Sequence, residues 1–198
     1  MLDYIILFIS WGVYFFTHSL LASSESKRNF IGEGRLSKRT YRLSYSIISM
    51  IGLILIIWLQ YYLRSASLFA PSYLTWMTAG VLFCLGANVL SKSFKKISIT
   101  AFLGLQVEGD HKLVKEDIHQ YVRHPIYLGT ILIFISLVIA IRTDLIVVSL
   151  FAVFIYLPIG IILEEDKLVK EYGADYLTYR QETKSIFPKW KYLLIVLF

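Results

Sequence analysis

Charged residues divide the chain into long apolar runs. Stretches free of Asp, Glu, Lys and Arg extend over Tyr4–Ser24, Leu43–Leu63, Ser65–Ser91, His124–Ile141 and Leu145–Leu163, that is 21, 21, 27, 18 and 19 residues. A helix rises about 1.5 Å per residue, so about 20 residues cross a hydrocarbon core of ~30 Å, with a usable range of roughly 17–25. The pattern predicts an all-α fold: a polytopic membrane bundle of five transmembrane helices at about 4–24, 43–63, 70–90, 125–141 and 145–163. The last two are separated only by Arg142, Thr143 and Asp144, which predicts a tight helical hairpin, and the chain beyond 163 predicts a cytoplasmic helical tail. The whole of 1–198 reads as a single membrane domain. Tyr192–Phe198 is apolar but too short to span, and is expected at the interface. The first run ends in Leu21-Ala22-Ser23, as a secretory signal can, but Asp3 is the only charge before it. Without a basic n-region it reads as a retained span.

Composition sharpens this picture. Apolar and aromatic residues make up 57% of the chain and charged residues 17%, against about 45–50% and about 25% in soluble domains. That excess is too large for one soluble core. A single Cys excludes a disulfide-stapled domain, and the hydrophobicity excludes disorder. The net charge of +6 reflects orientation. Of the 20 Lys and Arg residues, 18 fall in segments 23–42, 91–125 and 164–198, and only Arg64 and Arg142 lie in the alternate turns. With five spans these segments share one face, which the positive-inside rule makes cytoplasmic, with the N-terminus outside. The same segments carry 12 acidic residues, so the charge gives no support to nucleic-acid binding.

The concentrated polar chemistry lies at the cytoplasmic ends of the last two spans. The fourth is preceded by His119-Gln120-Tyr121-Val122-Arg123-His124 and opens on Pro125-Ile126-Tyr127-Leu128-Gly129. Pro suits the first turn of a helix, where its missing N–H costs nothing. The free amides and positive dipole end, beside Arg123 and His124, make a site for an anionic group such as a carboxylate. An equally simple reading is a basic interfacial anchor with a proline start signal. After the fifth span comes Glu164-Glu165-Asp166. Three acids there oppose both the helix dipole and an anionic lipid surface. They either pair with Lys167 and Lys170 at helical spacing, or hold a cation between themselves and Arg123-His124. A zwitterionic ligand would satisfy both clusters.

The ordered blocks Arg123-His124-Pro125-x-Tyr127-x-Gly129, Glu164-Glu165-x-x-Leu168, Glu171-Tyr172-Gly173-x-x-Tyr176-x-x-Tyr179 and Pro188 resemble the isoprenylcysteine carboxyl methyltransferase superfamily. That superfamily also contains phospholipid N-methyltransferases and methanethiol S-methyltransferases. The resemblance covers about 86–190, the catalytic half. Thr17-His18-Ser19-Leu20-Leu21-Ala22-Ser23 and Tyr41-Arg42-Leu43 resemble a bacterial branch of it. It implies a membrane methyltransferase using S-adenosylmethionine, with His124, Pro125, Tyr127, Gly129, Glu164, Glu165 and Gly104 holding the cofactor. The methyl acceptor it implies is hydrophobic or membrane-associated; S-methylation of a small thiol or N-methylation of a phospholipid fits the same fold. Arg123 would orient a carboxylate acceptor, and His119 or Glu165 would take a proton from a thiol or amine. Where many relatives carry Gly two residues before the His119 position, this chain has Asp117.

Other readings fit less well. A transporter would want ionisable groups at mid-span and inverted repeats. A membrane haem protein would want paired intramembrane His, whereas only His18 lies deep in a span and no metal site is assigned. A non-catalytic, cofactor-binding relative is compatible with the sequence. His18 is an intramembrane ionisable group that Ser19 or backbone carbonyls would satisfy, or that would serve a ligand. Cys84 reads as packing, and Trp11, Trp58, Trp76 and Trp190 as interfacial anchors.

Overall fold

The structure is a computed structural model, and it describes residues 1–32, 35–95, 100 and 113–198. Its described elements are α1 (Leu2–Ala22), α2 (Ser24–Lys27), α3 (Lys38–Tyr62), α4 (Tyr73–Ser93), α5 (Pro125–Ile141), α6 (Asp144–Tyr172), α7 (Ala174–Glu182) and α8 (Leu193–Leu197), with short 3₁₀ and π turns between them. No strand occurs among the described residues, only the isolated bridges Ser67–Thr143 and Val122–Lys184. The all-helical expectation holds.

Local sequence explains where the helices start and stop. Ser37 accepts from the Thr40 amide at 3.0 Å, and Ser72 and Thr75 form a reciprocal capping box, satisfying amides that a helix start leaves unpaired. α5 opens on Pro125 and ends at Arg142, which adopts the left-handed φ of 59°. Among the described residues four helices, α1, α3, α4 and α6, are long and apolar enough to cross a membrane. α5 is apolar but only 17 residues long, or about 26 Å, because His124 is its N-cap and the left-handed Arg142 terminates it. The five expected spans are therefore four helices of full spanning length and one at the lower limit. α6 is longer than the 19-residue apolar run, since its polar end, Glu164–Tyr172, continues the same helix. Large apolar side chains stand exposed along these helices, among them Ile9, Val13, Ile51, Leu55, Met77 and Phe151. Such surfaces on several spanning helices are those of a multi-pass membrane protein.

The described residues fall into two compact units. The first comprises 1–66 and 144–156. Here the His18 ring is held by hydroxyls, with Nδ1 3.1 Å from Ser49 Oγ and Nε2 2.9 Å from Tyr45 Oη. Ser19, expected to serve His18, pairs with Tyr156 Oη instead at 2.8 Å. Trp11 is buried and donates its indole N–H to Ser149 Oγ at 2.9 Å. It is a packing residue rather than an interfacial anchor.

The second unit comprises 67–95, 113–143 and 157–198. α4 and α5 cross closely at Gly86 and Gly129: a Cβ on Gly86 would lie 2.9 Å from the Gly129 carbonyl oxygen, and one on Gly129 3.0 Å from that of Gly86. A core of Val89, Ile118, Val122, Leu128 and Val196 joins these helices to the 3₁₀ turn Asp117–Gln120 and to α8. Trp76 is exposed, as expected of an anchor, and lies 4.9 Å from the Arg142 guanidinium. Cys84, expected to be packed, is exposed on α4; a position mid-span shows depth along the helix but not which side faces outward.

Candidate functional site

Two chain segments that are far apart in sequence are brought together at the start of α5. Residues 122–124 pair with 184–185: the Arg123 amide donates to the Lys184 carbonyl and the His124 amide to the Ser185 carbonyl, both at 2.9 Å. This places Arg123 and His124 against the polar end of α6. Arg123 Nη2 lies 2.6 Å from Glu165 Oε1 and its Nε 3.0 Å from the same atom. His124 Nε2 is 3.1 Å from Glu165 Oε1, and its Nδ1 3.4 Å from Glu164 Oε2. Arg180, on α7, approaches the other Glu165 oxygen at 3.2 Å. The guanidinium of Arg123 also donates to the Thr183 and Arg180 carbonyls through Nη1.

Arg123 and His124 both contact Glu165 directly. Glu165 is 6% exposed and lies beyond the apolar run that ends at Leu163. Burial opposes its ionisation, but hydrogen bonds from Arg123 and His124, and their charges, hold its carboxyl below the ordinary range. Three nitrogens of Arg123 are engaged in hydrogen bonds. Glu164 is nearly half exposed and retains accessible carboxylate.

Three further features surround this core. His119 is buried, and its Nδ1 has no hydrogen-bond partner among the described residues. Burial depresses its pKa, the charge of His124 adds to this, and Asp117 and Glu164 only partly oppose it; the ring is neutral near pH 7. Tyr176 is buried too, with a hydroxyl that has no hydrogen-bond partner among the described residues and a pKa pushed up to about 12, chiefly by burial. Tyr179 Oη donates to the His119 carbonyl at 2.5 Å. Gly173 makes this possible: at φ 55°, ψ −126°, a conformation only glycine adopts easily, it ends α6 and starts α7 at once, swinging Tyr176 and Tyr179 inward.

The predicted residues therefore separate. Arg123, His124, Glu164 and Glu165 converge, His119 lies beneath them, and Tyr127 packs edge-on against the His124 ring at 5.5 Å. Pro125 is fully buried at the first position of α5. Gly129 sits one turn further along, in the contact with Gly86. Gly104 lies outside the described residues. Asp117 has φ 53°, the left-handed region that glycine tolerates freely and Asp better than most. A glycine at this position would meet the same backbone need without strain. Arg180, Thr183 and the 184–185 segment were not anticipated. Arg180 follows directly on the Tyr176-x-x-Tyr179 block, the only signal that could have drawn attention to it.

Fold and site together define a multi-pass helical membrane protein with a polar cluster at a helix start. The family model of the NnrU protein matches residues 6–197, and the chain belongs to that family. It is 32% identical over 74 residues to methanethiol S-methyltransferase 1 of Bradyrhizobium diazoefficiens, covering 37% of this chain and 25% of that protein. It is 37% identical over 70 residues to the methanethiol S-methyltransferase of Crocosphaera subtropica, covering 35% and 27%. The chain thus spans about a quarter of the length of these curated relatives. No solved structure matches. With these relatives, the likeness to the isoprenylcysteine carboxyl methyltransferase superfamily stands.

Proposed function

We propose that the protein is an S-adenosylmethionine-dependent membrane methyltransferase acting on a hydrophobic or membrane-associated acceptor, with its N-terminus outside and its cofactor site facing the cytoplasm. The observation that carries the proposal is the convergence of Arg123, His124, Glu164 and Glu165 at the start of α5. In a chain similar to methyltransferases, this is the polar site built where an amphipathic acceptor would arrive. The residues present fit the cofactor: the half-exposed Glu164 carboxylate suits a cation, and the buried His119 Nδ1 and Tyr176 hydroxyl are polar atoms lacking a described partner. His124, Pro125, Tyr127, Gly129, Glu164, Glu165 and Gly104 remain the proposed cofactor set.

S-adenosylmethionine supplies an electrophilic methyl group on a sulfonium. The protein contributes alignment and exclusion of water. Arg123 and Arg180 fix Glu165, and through it the His124 ring and the end of α6. Neutral His119 is the proposed base for a thiol or amine proton, since its ring nitrogen is unpaired and its pKa is low enough to leave it unprotonated. A second reading is S-methylation of a small thiol, favoured by the methanethiol S-methyltransferase relatives. Labelled methyl transfer from S-adenosylmethionine to a prenylcysteine carboxylate, a lipid amine and a small thiol tests both readings. No transfer to any of these acceptors by folded, cofactor-bound protein would count against catalysis.

A further inference from the structure

A cavity of about 250 Å³ opens in the second unit, lined by Lys115, Lys184, Lys189, Glu182, Tyr121 and Tyr192 among others. Three lysines and one glutamate line it, a local excess of two positive charges. Lys115 is partly engaged, donating to the Asp175 carbonyl at 3.2 Å. Among the described residues no carboxylate lies within ion-pair distance of Lys184 or Lys189. The Tyr121 and Tyr192 rings, 4.8 Å apart, form an aromatic wall. The Tyr192 phenol has a lowered pKa, through its hydrogen bond with Lys191 and the charges of Lys191 and Lys189.

The cavity also has a defined place along the helices. The segment that follows Tyr192 is tied to the end of α4, where Lys92 Nζ donates to the Ile195 carbonyl at 3.1 Å and Asn88 Nδ2 to that of Leu197 at 2.8 Å. The charge-free run of α4 ends at Ser91, so the cavity lies where apolar surface gives way to polar. Phe187, Trp190 and Leu194, at 64%, 86% and 69% exposure, belong to the same segment. A positive polar cavity beside bare apolar side chains matches a molecule with an anionic head and an apolar body. Lys side chains are compact point charges suited to phosphate oxygens, and the volume exceeds what a carboxylate needs.

We propose that this cavity binds the phosphate headgroup of an anionic phospholipid, whose acyl chains lie against Phe187, Trp190 and Leu194. The proposal does not depend on methyl transfer. Its test is titration of the purified full chain, in non-ionic detergent, with short-chain phosphatidylglycerol, followed by Trp fluorescence. Phosphatidylcholine of equal chain length, sn-glycerol 3-phosphate and S-adenosylmethionine are titrated in parallel. The expected result is phosphatidylglycerol binding at least ~10-fold tighter than that of phosphatidylcholine or glycerol 3-phosphate, weakened by salt. The double variant Lys115→Gln/Lys189→Gln is expected to lose it ~10-fold or more, with an unchanged melting temperature and unchanged S-adenosylmethionine binding. Equal binding of phosphatidylcholine, or undiminished binding by the double variant, overturns the proposal. Glycerol 3-phosphate binding as tightly as the lipid makes this a soluble-phosphate site and overturns the lipid assignment. Competition between S-adenosylmethionine and phosphatidylglycerol assigns the cavity to the cofactor and also overturns it.

Discussion

Arg123 and Glu165, 42 positions apart, close on each other at 2.6 Å and are 10% and 8% exposed in their side chains. An ion pair so sheltered is costly to break from one side, since the surviving charge is left desolvated. Glu165→Gln should destabilise the protein by about 2–4 kcal/mol, lowering the thermal midpoint in detergent. Glu164→Gln, whose carboxylate is 46% exposed, should shift it by less than about 0.5 kcal/mol. The double variant Glu165→Gln/Arg123→Met should recover part of the loss; additive losses would mean the pair is not coupled.

The same carboxylate sets an acid limit. Its folded pKa lies below the unfolded value of about 4.3, so its stabilisation is complete above that value and lost as pH falls through the folded pKa. His119 acts at higher pH. Its folded pKa also lies below the unfolded value, about 6.5, but here the buried neutral form is the stabilised one. Stability is full above 6.5 and declines as pH falls from there through the folded pKa. Melting curves against pH should show two limbs, and His119→Asn should remove only the upper one.

Asp117 offers a backbone test. At φ 53° a β-branched residue is strained, so Asp117→Val should cost about 1–2 kcal/mol. Asp117→Gly should be neutral or stabilising by up to about 1 kcal/mol, read from the same melting curves. Equal effects of the two changes would mean that the turn does not need this conformation.

Gly129 belongs both to the sequence motif and to the α4–α5 contact. Gly129→Ala should destabilise by about 1–3 kcal/mol, because the added Cβ meets Leu90 at 2.8 Å and the Gly86 carbonyl oxygen at 3.0 Å. Gly86→Ala, outside the motif, should do the same. If both lower S-adenosylmethionine affinity equally, packing accounts for the motif glycine; if only Gly129→Ala does, that glycine also touches the cofactor.

Much of the helical frame was legible because charge is excluded from apolar runs, and Pro125 marks the start of α5 to the residue. The run lengths left α5 ambiguous, since His124 counts as uncharged yet serves as an N-cap. The convergence of Arg123-His124 with Glu164-Glu165 was also legible, since two helices joined by the short turn Arg142-Thr143-Asp144 bring these ends to the same side. Their direct pairing was not: it depends on the backbone of Lys184 and Ser185 aligning Arg123, and on Arg180 arriving from α7, contacts that leave no periodic trace. Nor could the pattern tell that Trp11 is buried and Cys84 exposed, since that requires knowing which helix face meets a neighbour.

Cofactor binding at the start of α5 is open to direct measurement. Calorimetric titration of the purified, folded chain with S-adenosylmethionine tests it most directly, alongside His124→Ala and Glu164→Gln as variants that keep Glu165 in place. Saturable one-site binding by the unaltered chain and at least ~10-fold weaker binding by each variant are expected. Absence of binding by protein with a cooperative melting transition, or affinity unchanged in both variants, would contradict it.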